Sequence, residues 1–171
     1  MANTYTLISS NVLTSSAASV TFSSIPATYT DLVLRISART DVENPFDQLF
    51  LKFNSSSTGY SYTALRAIPT SVSSFRGTSQ TQIRAGYIDG AQATSNTFGS
   101  VEIYIPSYTA AQNKPISVAG FQENNVTDNY FEVNANLWSD TAAISSAVIT
   151  SQNAANFVTG SSFYLYGIKN S

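Results

Sequence analysis

A repeating alternation of apolar and polar residues, period two, restricts this chain more than any other feature. Ala18, Val20 and Phe22 alternate with Ser19 and Thr21, and Leu32, Leu34, Ile36 and Ala38 alternate with Val33, Arg35 and Ser37. Val101, Ile103 and Ile105 alternate with Ser100, Glu102 and Tyr104. Phe131, Val133, Ala135 and Leu137 alternate with Tyr130, Glu132, Asn134 and Asn136. Successive side chains of a strand point to opposite faces, so each run predicts a strand with one face in a core and the other in water. For the last run this places Phe131, Val133, Ala135 and Leu137 inside and Glu132 outside. Weaker strands are predicted over 48–54, 60–66, 80–88, 115–122 and 144–150.

The chain opens on Thr4-Tyr5-Thr6-Leu7-Ile8 and closes on a strand-like run from Gly160 to Ile168. Both are expected to pair inside the domain, because an unpaired strand exposes a row of backbone donors and acceptors. Strands at both ends are expected to leave no room for an anchor, a targeting peptide or a disordered tail. Turn residues fall between the strands at Ser24-Ile25-Pro26-Ala27, 54–59, Asp89-Gly90, Asn113-Lys114-Pro115 and Asn124-Asn125. Residues 140–158 carry alanines at helical spacing, but their Ser, Thr and Val content favours a strand and loop. Antiparallel sheets with one solvated face give this clean alternation, and roughly eleven strands suit a two-sheet architecture. The predicted fold is all-β: a single antiparallel β-sandwich over residues 1–171, jelly-roll-like.

Composition narrows the function. There is no cysteine and no histidine among the 171 residues, which removes disulfides, thiolate or imidazole metal sites and the common catalytic triads. Charged residues make up 11%, against about 25% in an ordinary soluble domain, so solubility rests on neutral Ser, Thr and Asn. A net charge of −2 with 8 Lys and Arg cannot build the basic stripe that a phosphate backbone requires, so no nucleic-acid partner is expected. No run reaches the ~20 apolar residues of a membrane span, so no membrane partner is expected either. Met1-Ala2-Asn3-Thr4-Tyr5 lacks the positive start and apolar core of a secretory signal, which predicts synthesis in a cytoplasm.

Little points to chemistry. No glycine-rich phosphate loop is present; 86–90 carries no Lys-Ser/Thr and opens no helix. Glu102 and Glu132 share outward parity and are the pair to weigh for glycoside hydrolysis, although each also reads as an isolated charge keeping a sheet face wet. No enzyme and no cofactor are predicted. Oxygen ligands gather at Asp41, Glu43, Asn44 and Asp47 and at Glu123, Asn125 and Asp128. Neither set has an established calcium spacing, and Asp and Asn are ordinary turn residues. Asn54-Ser55-Ser56 and Asn125-Val126-Thr127 match the glycosylation pattern and read as turns.

Partner contacts are a stronger prospect. Arg66, Arg76 and Arg84 flank or occupy 67–80, which reads as a long irregular stretch with Phe75-Arg76-Gly77 near its middle. Long loops tend to be functional, and an aromatic beside an arginine is common in interface hot spots; equally, Phe75 can tuck back onto the sandwich. Tyr104, Tyr130 and Trp138 sit at polar parity, which suits protein interfaces and sugar stacking or a second buried face. Trp138 is the residue on which a sugar platform would rest. The predicted partner-contact residues are Phe75, Arg76, Arg66, Arg84, Tyr104 and Trp138.

The closing Gly160-Ser161-Ser162-Phe163-Tyr164-Leu165-Tyr166-Gly167-Ile168 resembles a C-terminal strand of small structural proteins of tailed bacteriophages. Tyr5-Thr6-Leu7-Ile8, the run from Val20 to Leu32, and Ile103-Tyr104-Ile105-Pro106-Ser107-Tyr108 look like the same proteins, whereas 41–99 is much less similar. The resemblance implies a β-sandwich virion protein, often jelly-roll-like, that decorates or cements a head or belongs to the tail. On that basis the leading expectation is a capsid decoration or cement protein with the phage major capsid protein or other virion proteins as partners, and a homotrimer, since closed symmetric homo-oligomers are the default for such parts. The alternative it leaves open is a tail or fibre module that binds host-surface glycans. It assigns no catalytic or binding residue.

Overall fold

The computed structural model describes residues 4–126 and 128–169; residues 1–3 and Thr127, the last residue of the Asn125-Val126-Thr127 pattern, lie outside the described residues. The strands are β1 (Tyr5–Val12), β2 (Ser19–Phe22), β3 (Asp31–Ala38), β4 (Phe46–Phe53), β5 (Tyr60–Ile68) and β6 (Ser71–Gln80). They continue with β7 (Ile83–Asp89), β8 (Gly99–Ile105), β9 (Lys114–Gln122), β10 (Tyr130–Trp138), β11 (Ala147–Ser151) and β12 (Ser162–Ile168). No helix occurs among the described residues.

The strands form an eight-stranded sheet, β1-β12-β3-β8-β9-β10-β5-β6, and a four-stranded sheet, β2-β11-β4-β7. Without β5, β6, β9 and β10, what remains is β1-β12-β3-β8 facing β2-β11-β4-β7, the order of a jelly roll built from two Greek keys. The β5–β6 hairpin is inserted between β4 and β7, and β9–β10 between β8 and β11. Both extend the larger sheet beyond β8. At the opposite edge β1 pairs with β12, from Tyr5↔Ile168 to Val12↔Ser162, with a bulge between Leu7 and Ser9.

The alternation predicted for the central strands is realised. Leu32, Leu34, Ile36 and Ala38 of β3 and Val101, Ile103 and Ile105 of β8 are buried, together with Phe163 and Leu165 of β12. They meet Val20, Phe22, Leu49, Leu51, Phe53 and Ile149 from the smaller sheet in one core. Each such side chain contributes about 1.5–3 kcal/mol by leaving water. Residues 140–158 form loops around β11, as their composition predicts.

Two expectations fail. The stretch 67–80 is not irregular: β6 pairs with β5 from Ile68↔Ser71 to Tyr62↔Gly77. Its serines give no apolar period to read, and the strand is held by its backbone ladder to β5 and by Phe75. Gly77 lets the Tyr62 ring lie close over β6; a Cβ there would come within 2.5 Å of the ring and push it aside. The parity of β10 is also inverted. Glu132, Asn134, Asn136 and Trp138 face inward and are buried, whereas Phe131 and Ala135 are exposed and Val133 and Leu137 partly so. Alternation shows that two faces differ, but the opposing layer decides which one turns inward. Here that layer is β7, drawn close over β9 where Gly86, at φ +82°, meets Gly120; a Cβ on Gly86 would lie 3.2 Å from the Gly120 Cα.

Candidate partner-binding face

What β7 presents to β10 is Arg84. Its Nε donates to Glu132 Oε1 at 2.8 Å and its Nη2 to Glu132 Oε2 at 2.7 Å, a bidentate bridge between the sheets. Arg84 Nη1 donates to Gln48 Oε1 at 2.7 Å and Nη2 to the Tyr87 hydroxyl at 2.8 Å. Arg66 Nη1 reaches the same hydroxyl at 3.2 Å, and Asn134 Nδ2 donates to Glu132 Oε1 at 2.9 Å. A carboxylate with no exposure is tolerable only when paired and hydrogen-bonded in this way. Burial pulls the Arg84 guanidinium down, but the hydrogen bonds and charge of Glu132 outweigh it, so its pKa rises above the ordinary value.

Phe75 lies between the two arginines, its ring centroid 4.9 Å from the Arg84 guanidinium carbon and 5.2 Å from that of Arg66. Cations over ring faces are attracted in this geometry. Thus Phe75, Arg66 and Arg84 do converge, but in a cluster between the sheets, and the hairpin is pinned to the sandwich through it. Phe75 is tucked back, the other outcome open to it in the sequence. Arg76, its neighbour, is exposed on the opposite face of β6.

Trp138 is also internal, 1% exposed, stacked on Tyr60 at 6.1 Å and tilted against Phe53 at 5.5 Å. No ring surface remains there for a sugar. Tyr104 faces outward from β8, its hydroxyl donating to Asp31 Oδ2 at 2.9 Å. Glu102 and Glu132 fall on opposite faces of the large sheet and cannot act on one substrate; Glu102 pairs with Arg35 at 3.0 Å in solvent. Arg39, just past β3, is engaged internally: its guanidinium gathers the carbonyls of Ala91, Ala93 and Thr94 at 2.7–3.0 Å.

The oxygen-rich loops are engaged internally. Asp41 accepts the Asn156 backbone N–H at 2.8 Å, and Asp47 is buried among Thr40, Gln48 and Asn153. Among the described residues no cluster of three or more His, Cys, Asp or Glu is placed to hold a metal. Asn54 Oδ1 accepts three bonds from Ser145 and Ser146, which makes it a structural turn residue.

With the polar side of β10 committed inside, its apolar side faces out. Cross-strand neighbours on that outer face are Phe121, Phe131, Ala67 and Val72 in one row, and Ala119, Val133, Leu65 and Ser74 in the next. Leu65 is 44% exposed, Val72 69%, Phe121 46% and Phe131 42%; the two phenylalanine rings lie 5.3 Å apart. Tyr5, Leu7 and Val12, on β1, complete the exposed large apolar residues among the described residues. All project from the outer face of the eight-stranded sheet. A hollow of about 510 Å³ runs along it, lined by Leu65, Ser74, Tyr104, Ala119, Val133 and Ala135. Contiguous exposed apolar surface of this kind marks interaction sites. Sequence reasoning missed Leu65, Val72, Phe121 and Phe131. Phe121 and Phe131 pair directly across β9 and β10 and so share one face, but no local feature of the sequence says that this face turns outward.

Compared with protein-family models, curated proteins and solved structures, the chain matches none.

Proposed function

We propose that this chain is a structural protein of a tailed-bacteriophage virion, a capsid decoration or cement protein that binds the outside of the assembled head as a homotrimer. The observation that carries this is the apolar outer face of β9, β10, β5 and β6. The jelly-roll order is complete without these strands, so their outward Leu65, Val72, Phe121 and Phe131 are surplus to the fold and suit a partner. The resemblance of the terminal strands to small phage proteins supplies the kind of partner, a major capsid protein or another virion protein. Closed cyclic symmetry is the usual solution for such homo-oligomers. The large sheet also ends in two edges fit for strand addition: β1, Tyr5–Val12, without a charge, and β6 with Arg76 alone.

Binding to the assembled shell and not to free subunits stabilises the shell by mass action, about 2.7 kcal/mol per site at a hundredfold excess over Kd. The test is co-sedimentation of the purified protein with heads that lack it, alongside unassembled capsid subunits. Selective binding to heads, with raised heat resistance, is expected. Failure to bind heads, or equal binding to free subunits, contradicts the proposal.

A further inference from the structure

The other half of the same face, over β12, β3 and β8, has a different chemistry. Cross-strand pairing aligns Tyr166, Val33 and Tyr104 in one row, Tyr164, Arg35 and Glu102 in the next, and Ser162, Ser37 and Ser100 in a third. From strand spacing the block measures about 10 Å across the strands and about 13 Å along them. It presents an aromatic row, an ion pair and a line of hydroxyls, in that order.

We infer that this block is a binding site for a neutral saccharide. Tyr164 and Tyr166 lie 6.4 Å apart with their rings 27° from parallel, and Tyr5 sets its ring edge-on to Tyr166 at 6.3 Å. Together they form an amphipathic cluster, two rings stacked on each other and a third edge-on, apolar along the rings and polar at the hydroxyls. Arg35 is anchored through Nε to Glu102 Oε2 at 3.0 Å and its guanidinium carbon lies 5.7 Å from the Tyr5 ring centroid, while its Nη groups and Glu102 Oε1 make no hydrogen bond among the described residues. The hydroxyls of Ser37, Ser100 and Ser162 make no hydrogen bond among the described residues. A hollow of about 450 Å³ connects Arg35, Glu102, these serines, Tyr164 and Tyr166, within the usual range for a small ligand.

The class of ligand follows from what the block can satisfy. A wholly apolar occupant would strip water from an ion pair and a row of hydroxyls and return no hydrogen bond. An anion finds the Arg35 charge already balanced by Glu102. A sugar ring brings an apolar face for the tyrosines, and hydroxyls that donate to Glu102, accept from Arg35 and do both with serine. The site does not rest on the proposed role at a phage head, and it adjoins the apolar half, whose 510 Å³ hollow reaches Glu102 and Tyr104.

The test screens the full chain on an array of neutral and anionic glycans. It then titrates maltose, lactose and cellobiose, together with any array hit, by nuclear magnetic resonance. At least one neutral saccharide should saturate with a Kd of about 1 mM or tighter. Tyr164→Ala and Glu102→Gln should each weaken it about tenfold without lowering Tm, while Lys52→Ala on the opposite sheet leaves it unchanged. A blank array with no saturation, binding confined to anionic glycans, or binding that survives both substitutions overturns the inference. So does sedimentation showing that the same substitutions dissolve a dimer, because the block is then covered by a second copy.

Discussion

Arg84 on β7 and Glu132 on β10 form, among the described residues, the only ion pair that joins the two sheets, with both contacts at 2.7–2.8 Å and Glu132 wholly buried. Removing one partner strands a buried charge. Glu132→Gln or Arg84→Met is expected to cost about 3–5 kcal/mol in urea unfolding. Replacing both, as Arg84→Met with Glu132→Leu, should recover most of that loss, because well-packed apolar residues often equal a buried pair. A double mutant no more stable than the singles contradicts this account of the bridge.

Asp47 gives the opposite electrostatic case. Burial pushes its carboxyl above the usual carboxylate range, and the hydrogen bonds from the Gln48 N–H, Thr40 and Asn153 oppose this incompletely. Between the unfolded and the folded pKa the native state therefore holds a proton that the unfolded chain has already released. The stability this confers is full below the unfolded pKa and is lost as pH rises through the folded one. Asp47→Asn is expected to raise Tm at pH 7, and the gain should shrink to nothing as the pH falls below the ordinary carboxylate value. A gain that persists unchanged in acid would show that charge is not the cause.

Trp138 reports on the core. Trp138→Ala should cost about 3–5 kcal/mol, as expected for a large buried aromatic. In the native protein its fluorescence should resist acrylamide quenching, and saccharide should not alter it. Ready quenching before unfolding would contradict its position under Tyr60 and Phe53.

The outward residues should behave differently. Phe131→Ser and Val72→Ser are expected to shift stability by about 0.5 kcal/mol or less and to weaken attachment to heads at least tenfold, about 1.4 kcal/mol. Co-sedimentation of the variants, with Tm measured on the same samples, separates the two effects. A large fall in Tm would return these side chains to a structural role.

The legibility of the sequence follows from where burial is one-sided. On β3, β8 and β12 an apolar face meets an apolar layer, so the alternation predicts strand, parity and core together. On β10 both parities carry information, and the apolar side turned out to be the outer one. Nothing local could reveal that Arg84, 48 positions away, would draw Glu132 inside. The β6 strand was invisible for a different reason, since Ser71–Gln80 has no apolar period and is held by its ladder to β5. Of the predicted contact residues, Phe75, Arg66 and Arg84 do meet one another, but as the pin behind the outer face and not on it. Tyr104 and Arg76 alone of the six lie on the outer face of the large sheet.

The most direct measurement is a cryo-electron microscopy map of the virion that carries this chain. The sandwich is predicted on the outside of the head, with the outer face of β9, β10, β5 and β6 turned toward the capsid subunits. Density that places it in the tail, or seats it on the head by the β2-β11-β4-β7 sheet, would contradict the assignment of that face.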